Sequence, residues 1–453
     1  MSKPGKVFLA GAGPGDPGLL TQKTVELMSH CDVVCYDLLI DQAVLSMIPA
    51  DKTMLPVGYR GYCGATIEYG MHPLVIEQAL AGKSVLRLKA GDPFIFGRAT
   101  EECRSLQHHG IEYEVIPGIS SALGAAAYAG FPLTSNGMAS DVTFASGHKV
   151  SPTIKSWALA GDAAGTLILY MGAKKLKKHT EELMLLGKLP STPVAVIAAA
   201  TSFKQRTLIS TIDQIGDQII EFDNGDPMLV ALGEVVSLAN ELNWRDVLPL
   251  SQQQVLTCSN DQESRNKLKL LGATIVDAPK IEVNYQFDSE DWLTITTNKH
   301  LWLDSQEAAK SLIECSRKHR LDIRDWHWNI SGSQDAADYL QHFGIFITIN
   351  DKPVDHVCIV ASTKSHGICG RQVRLIQPNY QLSPSSFALT NEIVAVEFLI
   401  NNNLLLDDAV VFTRNVEVVE FLSDTDVKSY LITKNDSFDE LDISSLILCS
   451  RAA

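Results

Sequence analysis

Across residues 1–245, short apolar runs alternate with helical stretches, and this alternation limits the fold more than any other feature. The runs are Val7–Ala10, Val33–Tyr36, Val85–Leu88, Tyr113–Ile116, Thr166–Tyr170, Val194–Ala198 and Met228–Leu232. Strands separated by helices predict an α/β fold with a largely parallel sheet. The segment Asn243–Gln254 loses the pattern and reads as a linker. The alternation then restarts with a strand at Val255–Thr257, a helix around Arg265–Leu271 and a Gly-Ala-Thr turn at 272–274. Further strand candidates are Trp292–Thr296, His356–Ala361, Ala409–Thr413 and Ser445–Cys449. A chain of 453 residues is too long for one ordinary core. Two domains are expected, 1–245 and 251–453.

The net charge of −15 is unevenly shared. Residues 1–245 hold 20 Lys/Arg and 24 Asp/Glu, a net of −4, whereas 246–453 hold 18 and 29, a net of −11. Such a chain has no basic surface for displacing counterions, so no nucleic-acid partner is expected. A polycarboxylate ligand would need a local cluster of cations. No uninterrupted apolar stretch reaches the roughly 18 residues of a membrane span, so no membrane partner is expected. Val7–Ala10 is too brief for a secretory signal. The nine cysteines are scattered and form no CxxC pair. They read as reduced thiols of a cytoplasmic protein, with no metal site.

The first strand runs into Gly11-Ala-Gly-Pro-Gly-Asp-Pro-Gly18, ahead of a helix starting near Leu19 or Thr21. A glycine-rich turn between strand and helix lets a ligand approach the backbone closely. A dinucleotide fingerprint would need glycine at its sixth position, which is Asp16 here. Pro14 and Pro17 lack the amide donors of a phosphate cradle, and no Gly-Lys-Ser/Thr follows. The loop therefore suits shape contact rather than phosphate capture. Asp37, just past the second strand, lies where open α/β sheets carry their sites; the plainer alternative is a surface aspartate capping a turn. The run Arg87–Arg98 holds an Ala90-Gly-Asp-Pro turn flanked by Arg87, Lys89 and Arg98. Guanidinium groups beside such a turn suit carboxylates.

With these segments the chain resembles the uroporphyrinogen-III C-methyltransferases of the tetrapyrrole methylase class. The resemblance rests on Gly11–Gly18, Tyr36-Asp37, Val57-Gly-Tyr-Arg60, Arg87–Arg98, Pro117-Gly-Ile-Ser-Ser121 and Tyr128–Thr134. Ser146-Gly-His148, Tyr170-Met-Gly172 and Gly233-Glu-Val235 continue it in family order, so that it covers nearly all of residues 3–240. It implies a two-lobed tetrapyrrole methylase fold with S-adenosyl-L-methionine in the interlobe cleft and S-adenosyl-L-homocysteine as product. The implied cofactor contacts are Pro14, Ala90, Gly91, Asp92, Ile95, Ser120, Ser121, Met171 and Ala200. Asp37 resembles the family's proton acceptor, with Arg87 as a second group assisting at the pyrrole. Arg60, Lys89, Arg98 and His148 join Arg87 as the cations facing uroporphyrinogen III, although a structural role for His148 is the competing reading.

Departures from the family pattern are visible. Tyr59 replaces the usual lysine; its phenol either donates a proton in that lysine's place or stacks on the macrocycle. Ala90 replaces a glycine, Ser120-Ser121 replaces Thr-Ala, and Tyr62–His72 lacks the family's His-Ser…Gln pattern. The implied reaction is double C-methylation of uroporphyrinogen III to precorrin-2, by a homodimer. The alternatives are a later precorrin C-methyltransferase of the cobalamin pathway, a nucleotide-dependent dehydrogenase of sirohaem assembly, and a non-catalytic tetrapyrrole carrier. Residues 251–453 resemble uroporphyrinogen-III synthase, a bilobal α/β enzyme, through Val255–Thr257, Asp291–Asn298, Ile330–Ser333 and Ala409–Thr413. Either a working synthase or a diverged scaffold fits them.

Overall fold

The computed structural model describes residues 3–431 except 59–69, 149–150, 161–164, 259–260, 279–280, 351, 354–356, 362–367, 370, 376–384, 391–392, 414–415, 424 and 426. The first lobe is a five-stranded sheet in the order β3-β2-β4-β1-β5. Its strands are β1 (Val7–Gly11), β2 (Val33–Tyr36), β3 (Thr53–Pro56), β4 (Val85–Lys89) and β5 (Tyr113–Ile116). Every pairing is parallel. The crossovers carry α1 (Gln22–His30), α2 (Gln42–Leu45), α3 (Pro73–Leu80) and α4 (Ala99–His108). Strands covered on both faces read as continuous apolar runs, which is why the three inner strands were legible. β4 breaks that rule by burying Arg87 and Lys89.

The second lobe holds β6 (Val142–Ser146), β7 (Thr166–Tyr170), β8 (Pro193–Ala198), β9 (Arg206–Thr211) and β10 (Met228–Leu232), in the order β6-β7-β10-β8-β9. Only β6 and β7 pair in parallel; β10 runs antiparallel to β7 and β8, and β8 to β9. Within residues 1–245 the expected largely parallel sheet is therefore confined to the first lobe. The short 199–205 connection between β8 and β9 leaves no room for a crossover. The added strands β3, β6 and β9 all lie at sheet edges and are partly exposed, so they lack a full apolar run. Helix α5 (Ser121–Tyr128) joins the lobes. Its Ala122, Ala125 and Ala126 pack against Ile168, Ile197 and Ala231 of the second sheet.

Residues beyond 253 form two further parallel sheets. One has the order Thr274–Asp277, Gln254–Thr257, Ser385–Leu389, Leu405–Thr413, Lys428–Leu431. The other has the order Thr348–Ile349, Asn329–Gly332, His300–Leu303, Cys358–Ala361, Ile368–Cys369. An antiparallel ribbon pairs Ile281–Tyr285 with Arg371–Leu375. The expected strand Trp292–Thr296 is instead part of a helix, Ser289–Thr297. Asp288 caps that helix by accepting from the amides of Glu290 and Asp291 at 2.9 and 2.7 Å, which outweighs the β-propensity of Trp-Leu-Thr-Ile-Thr. The candidate Ser445–Cys449 lies outside the described residues.

The two halves share a core. Ala43 of α2 is buried with Leu256, Val276, Val396 and Val411, and the Asp277 amide donates to Ser46 Oγ at 3.2 Å. The expected linker is pinned as well: buried Arg245 donates to the carbonyls of Ser202 and Ser251 at 2.7 and 2.8 Å. Among the described residues no helix is long and apolar enough to cross a membrane.

Candidate active site

Three strand-to-helix loops meet at the carboxyl edge of the first sheet. The Ala12 amide donates to the Lys89 carbonyl at 2.7 Å, and Gly13 and Gly91 exchange backbone bonds at 3.2 and 2.8 Å. A Cβ added at Gly11 would lie 2.5 Å from Gly91 O and 2.6 Å from Gly118 Cα, so the loops after β1, β4 and β5 touch backbone to backbone. Gly91 differs: with φ of +68° it is left-handed, and an added Cβ would meet only the Ser121 amide, at 3.8 Å. That face is open. Asp92 braces the assembly. Its Oδ1 accepts from the Phe94 amide at 2.8 Å and its Oδ2 from the Gly118 amide at 3.1 Å, so both oxygens already serve the loops.

Beside the loops lies a buried group of four charges. Arg87 Nη2 contacts Asp37 Oδ1 at 2.5 Å and Glu102 Oε1 at 3.2 Å, while Lys89 Nζ lies 2.9 Å from Glu102 Oε2. The side chains of Arg87 and Lys89 are 4% and 7% exposed, against 19% for Asp37. Burial pulls the Arg87 pKa down, and the adjacent Asp37 and Glu102 carboxylates outweigh it, so the net shift is upward. The expected cationic cluster is thus divided. Arg87 and Lys89 are interior and neutralised, Arg98 is exposed at the start of α4, and Arg60 and Tyr59 lie outside the described residues. His148 is exposed, and its carbonyl accepts from Lys175 Nζ at 2.7 Å.

The second lobe forms the facing wall. Tyr170, at the end of β7, places its hydroxyl 2.6 Å from Ser120 Oγ and accepts from the Ala122 amide at 3.3 Å, capping α5 across the lobes. Ser120 is therefore turned away from a free ligand-facing position, whereas Ser121 is half-buried beside Gly91. Phe96 packs on the Tyr170 ring at 4.7 Å. The Asp16 amide donates to Thr201 Oγ1 at 3.0 Å, and Ala200 O faces Gly15. Pro14 sits over Gly124 of α5, where a Cβ would come within 2.5 Å of its ring. Ile95 and Met171 are exposed, Met171 at 48%.

A sequence profile of the tetrapyrrole (corrin/porphyrin) methylases matches residues 6–216. The N-terminal half of this chain belongs to the tetrapyrrole methylases. Among curated relatives it is 41% identical over 242 residues to a siroheme synthase of Acinetobacter baylyi, covering 53% of this chain and 53% of that protein. A siroheme synthase of Pseudomonas aeruginosa is 42% identical over 241 residues, with 53% and 52% covered. The chain thus spans about half the length of the curated relatives it matches. Among solved structures, a uroporphyrin-III C-methyltransferase from Thermus thermophilus complexed with S-adenosylhomocysteine is 34% identical, covering 52% of this chain and all of that one, with a TM-score of 0.44.

Within the methylase half, backbone strain follows the cleft. Phe96, Arg98, Met171, Ala199 and Thr201 all have φ between 47° and 65°, the left-handed region that non-glycine residues avoid. Such residues are held at a cost of about 1–3 kcal/mol each and gather at functional sites. Sequence reasoning missed Glu102, Tyr170 and Thr201, which hold the cleft together without being its expected contacts. Tyr170 was within reach, since it opens the Tyr-Met-Gly motif. Glu102 gave no signal, because α4 carries two adjacent acids and only the fold shows which one turns inward.

Proposed function

We propose that this chain is an S-adenosylmethionine-dependent methyltransferase that adds two methyl groups to ring carbons of uroporphyrinogen III, giving precorrin-2 for sirohaem or cobalamin synthesis. The observation carrying the proposal is the convergence of the Gly11, Gly91 and Gly118 loops beside Asp37, facing the strained 171 and 199–201 loops of the second lobe. A flat adenosyl group fits that arrangement: Gly91 presents bare backbone on its open side, and Ile95 and Met171 offer apolar surface at the rim. When bound, S-adenosylmethionine supplies an electrophilic methyl group. The protein's work is then alignment and proton removal.

In this reading Ala90, Gly91 and Ser121 hold the cofactor through backbone, and Pro14, Ala200 and Ser120 set the loop positions around it. Asp92 acts by fixing the turn, since its oxygens are taken by Phe94 and Gly118. Phe94, Ile95 and Phe96 are exposed apolar residues that exclude water once the macrocycle is seated. After methyl transfer makes the ring carbon quaternary, Asp37 takes at Oδ2 the proton that the macrocycle loses from a neighbouring atom, while Arg87 holds Oδ1. Arg98, with Arg60 and His148, meets the substrate carboxylates, and Lys89 serves from beneath through Glu102. We extend the proposal to a cytoplasmic homodimer acting on a small molecule; the net charge of −15 supports only the part that excludes a nucleic-acid partner. The second half, with its paired parallel sheets, supports a synthase-like scaffold.

The test is incubation of the full chain with S-adenosylmethionine and freshly reduced uroporphyrinogen III, followed by mass spectrometry. Two successive methyl additions are expected, and an unchanged substrate mass would overturn the proposal.

A further inference from the structure

We propose that Glu102 is a positioning residue for methyl transfer, setting the charge and the orientation of Asp37 through Arg87. The inference rests on the reading above that Asp37 accepts the proton. Glu102 is 7% exposed and lies in the first turn of α4, behind the cleft. Arg87 Nε donates to its Oε1 at 3.3 Å, and Lys89 Nζ approaches its Oε2 at 2.9 Å. It therefore grips both cations of β4. Arg87 is further fixed by donating from Nη1 to the Leu88 carbonyl at 3.0 Å, which leaves Nη2 directed at Asp37 Oδ1. A guanidinium held on two sides can present its third to only one place.

The group has two positive and two negative charges, so it is balanced as found. Among the described residues its other titratable neighbours are Cys35 on β2 and His72 ahead of α3, both of which feel Arg87, and Cys103 on α4, which feels Glu102 and Lys89. Burial raises the Cys35 and Cys103 thiols and lowers the His72 ring, so all three favour their neutral forms and leave the balance to the four charged side chains. Neutralising Glu102 would leave Asp37 alone opposite two buried cations. Asp37 would then hold its negative charge more tightly and be a poorer proton acceptor. Its position would also relax, because Arg87 would lose one of its anchors.

The experiment compares wild type, Glu102→Gln, Glu102→Asp and the double variant Glu102→Gln/Lys89→Met, all in the full chain. Glu102→Gln should lower kcat about 100-fold, the size of effect expected when a reacting group is misplaced by about 1 Å. KM and S-adenosylhomocysteine affinity should stay within about twofold, and the acid limb of kcat should move to lower pH. Glu102→Asp keeps the charge, so its acid limb should stay at the wild-type position while kcat recovers in part. The double variant restores neutrality and should return the acid limb without restoring kcat. A titration of the Asp37 carboxyl in carbon-13-labelled, ligand-free protein, assigned with Asp37→Asn, reads the same coupling without turnover. Its midpoint should fall in Glu102→Gln and return in the double variant. An unshifted midpoint, or wild-type kcat in Glu102→Gln, overturns the role of Glu102. A shifted midpoint in a protein that methylates nothing would keep the coupling and refute the proposed reaction instead.

Discussion

The first lobe of the methylase half and the Gln254–Thr257 sheet of the second half are both five-stranded and parallel, yet their strand ends are used differently. In the first lobe, bare backbone meets at Gly11, Gly91 and Gly118, and Asp37 keeps part of its carboxylate exposed. Neighbouring strand ends are bonded to one another in both sheets, but among the described residues of the second half an ion pair stands where the first lobe has meeting glycines. The Ala278 amide donates to Thr257 O at 2.8 Å, the Cys258 amide to Leu389 O at 3.1 Å, and Arg265 grips Asp277 with both Nη atoms, at 2.5 and 3.0 Å. The left-handed residues divide in the same way. Those of the methylase half stand in loops facing the cleft, whereas Arg320 and Asn403 each close a helix. At the latter, the Leu404 amide bonds Leu399 O at 2.9 Å, an ordinary helix end. A shared sheet type does not fix what the strand ends carry; the loops do.

The sharpest way to break this contrast is Arg87→Ala. It strips Asp37 and Glu102 of their common partner inside the protein, and removing one member of such a buried group costs about 3–5 kcal/mol. Urea unfolding should show that loss together with abolished turnover. The matched change in the other half, Arg265→Ala, touches a pair in which Asp277 is 37% exposed; it should cost about 1 kcal/mol or less and leave methylation intact. Equal losses at the two sites would refute the distinction between a buried, functional group and a structural bracket.

Asp92→Ala comes next. It leaves the amides of Phe94 and Gly118 without their acceptor, and bonds to a charged group contribute about 1.5–3 kcal/mol each. Calorimetric titration should show S-adenosylhomocysteine affinity falling by roughly 100-fold or more, from loosening of the turn rather than loss of a ligand contact. Unchanged affinity would remove the turn from the cofactor site. A smaller effect is expected from added methyl groups. Gly11→Ala and Gly332→Ala each place Cβ 2.5 Å from a backbone oxygen, Gly91 O and Leu303 O respectively, and each should cost about 1–3 kcal/mol. Only Gly11→Ala should also weaken cofactor binding.

How much of this was legible beforehand depended on burial and on sequence distance. β1, β2 and β4 declare themselves because both faces of each are covered, whereas β3, β6 and β9 are edge strands with mixed sequence. Trp292–Thr296 misled because β-propensity is a local preference, and the Asp288 cap that decides the helix precedes the segment. At the site, Asp37 and the Gly91 turn could be placed because strand ends locate them. The pairing of Arg87 and Lys89 with Glu102 could not, since it depends on how α4 returns over β4. Asp92 was expected to contact the cofactor; its oxygens accept from the amides of Phe94, two residues on, and of Gly118 in the loop after β5, a long-range bond that only the fold shows.

The smallest expected effect is a difference in acid sensitivity between the halves. Glu114 on β5 is bonded by Lys23 of α1 and by Lys6 just ahead of β1, which holds its pKa down to about 2. A depressed carboxyl stabilises the fold above its unfolded pKa of about 4.3, and that contribution fades as pH falls towards about 2. In the second half, Asp322 is likewise held to about 2, by Arg324. The two pairings differ in reach. Lys6 and Lys23 are far from Glu114 in the chain and meet it only when the sheet is formed. Asp322 and Arg324 share one short turn, so much of their attraction survives in the unfolded chain and cancels. Melting temperatures of Glu114→Gln and Asp322→Asn against wild type, taken from about pH 6 down to about pH 3, should show a gap that closes with acid for Glu114. For Asp322 the gap should be small throughout. If the Asp322 gap equalled that of Glu114, the attraction would have to be absent from the unfolded chain at both sites, and reach across the sheet would not separate them.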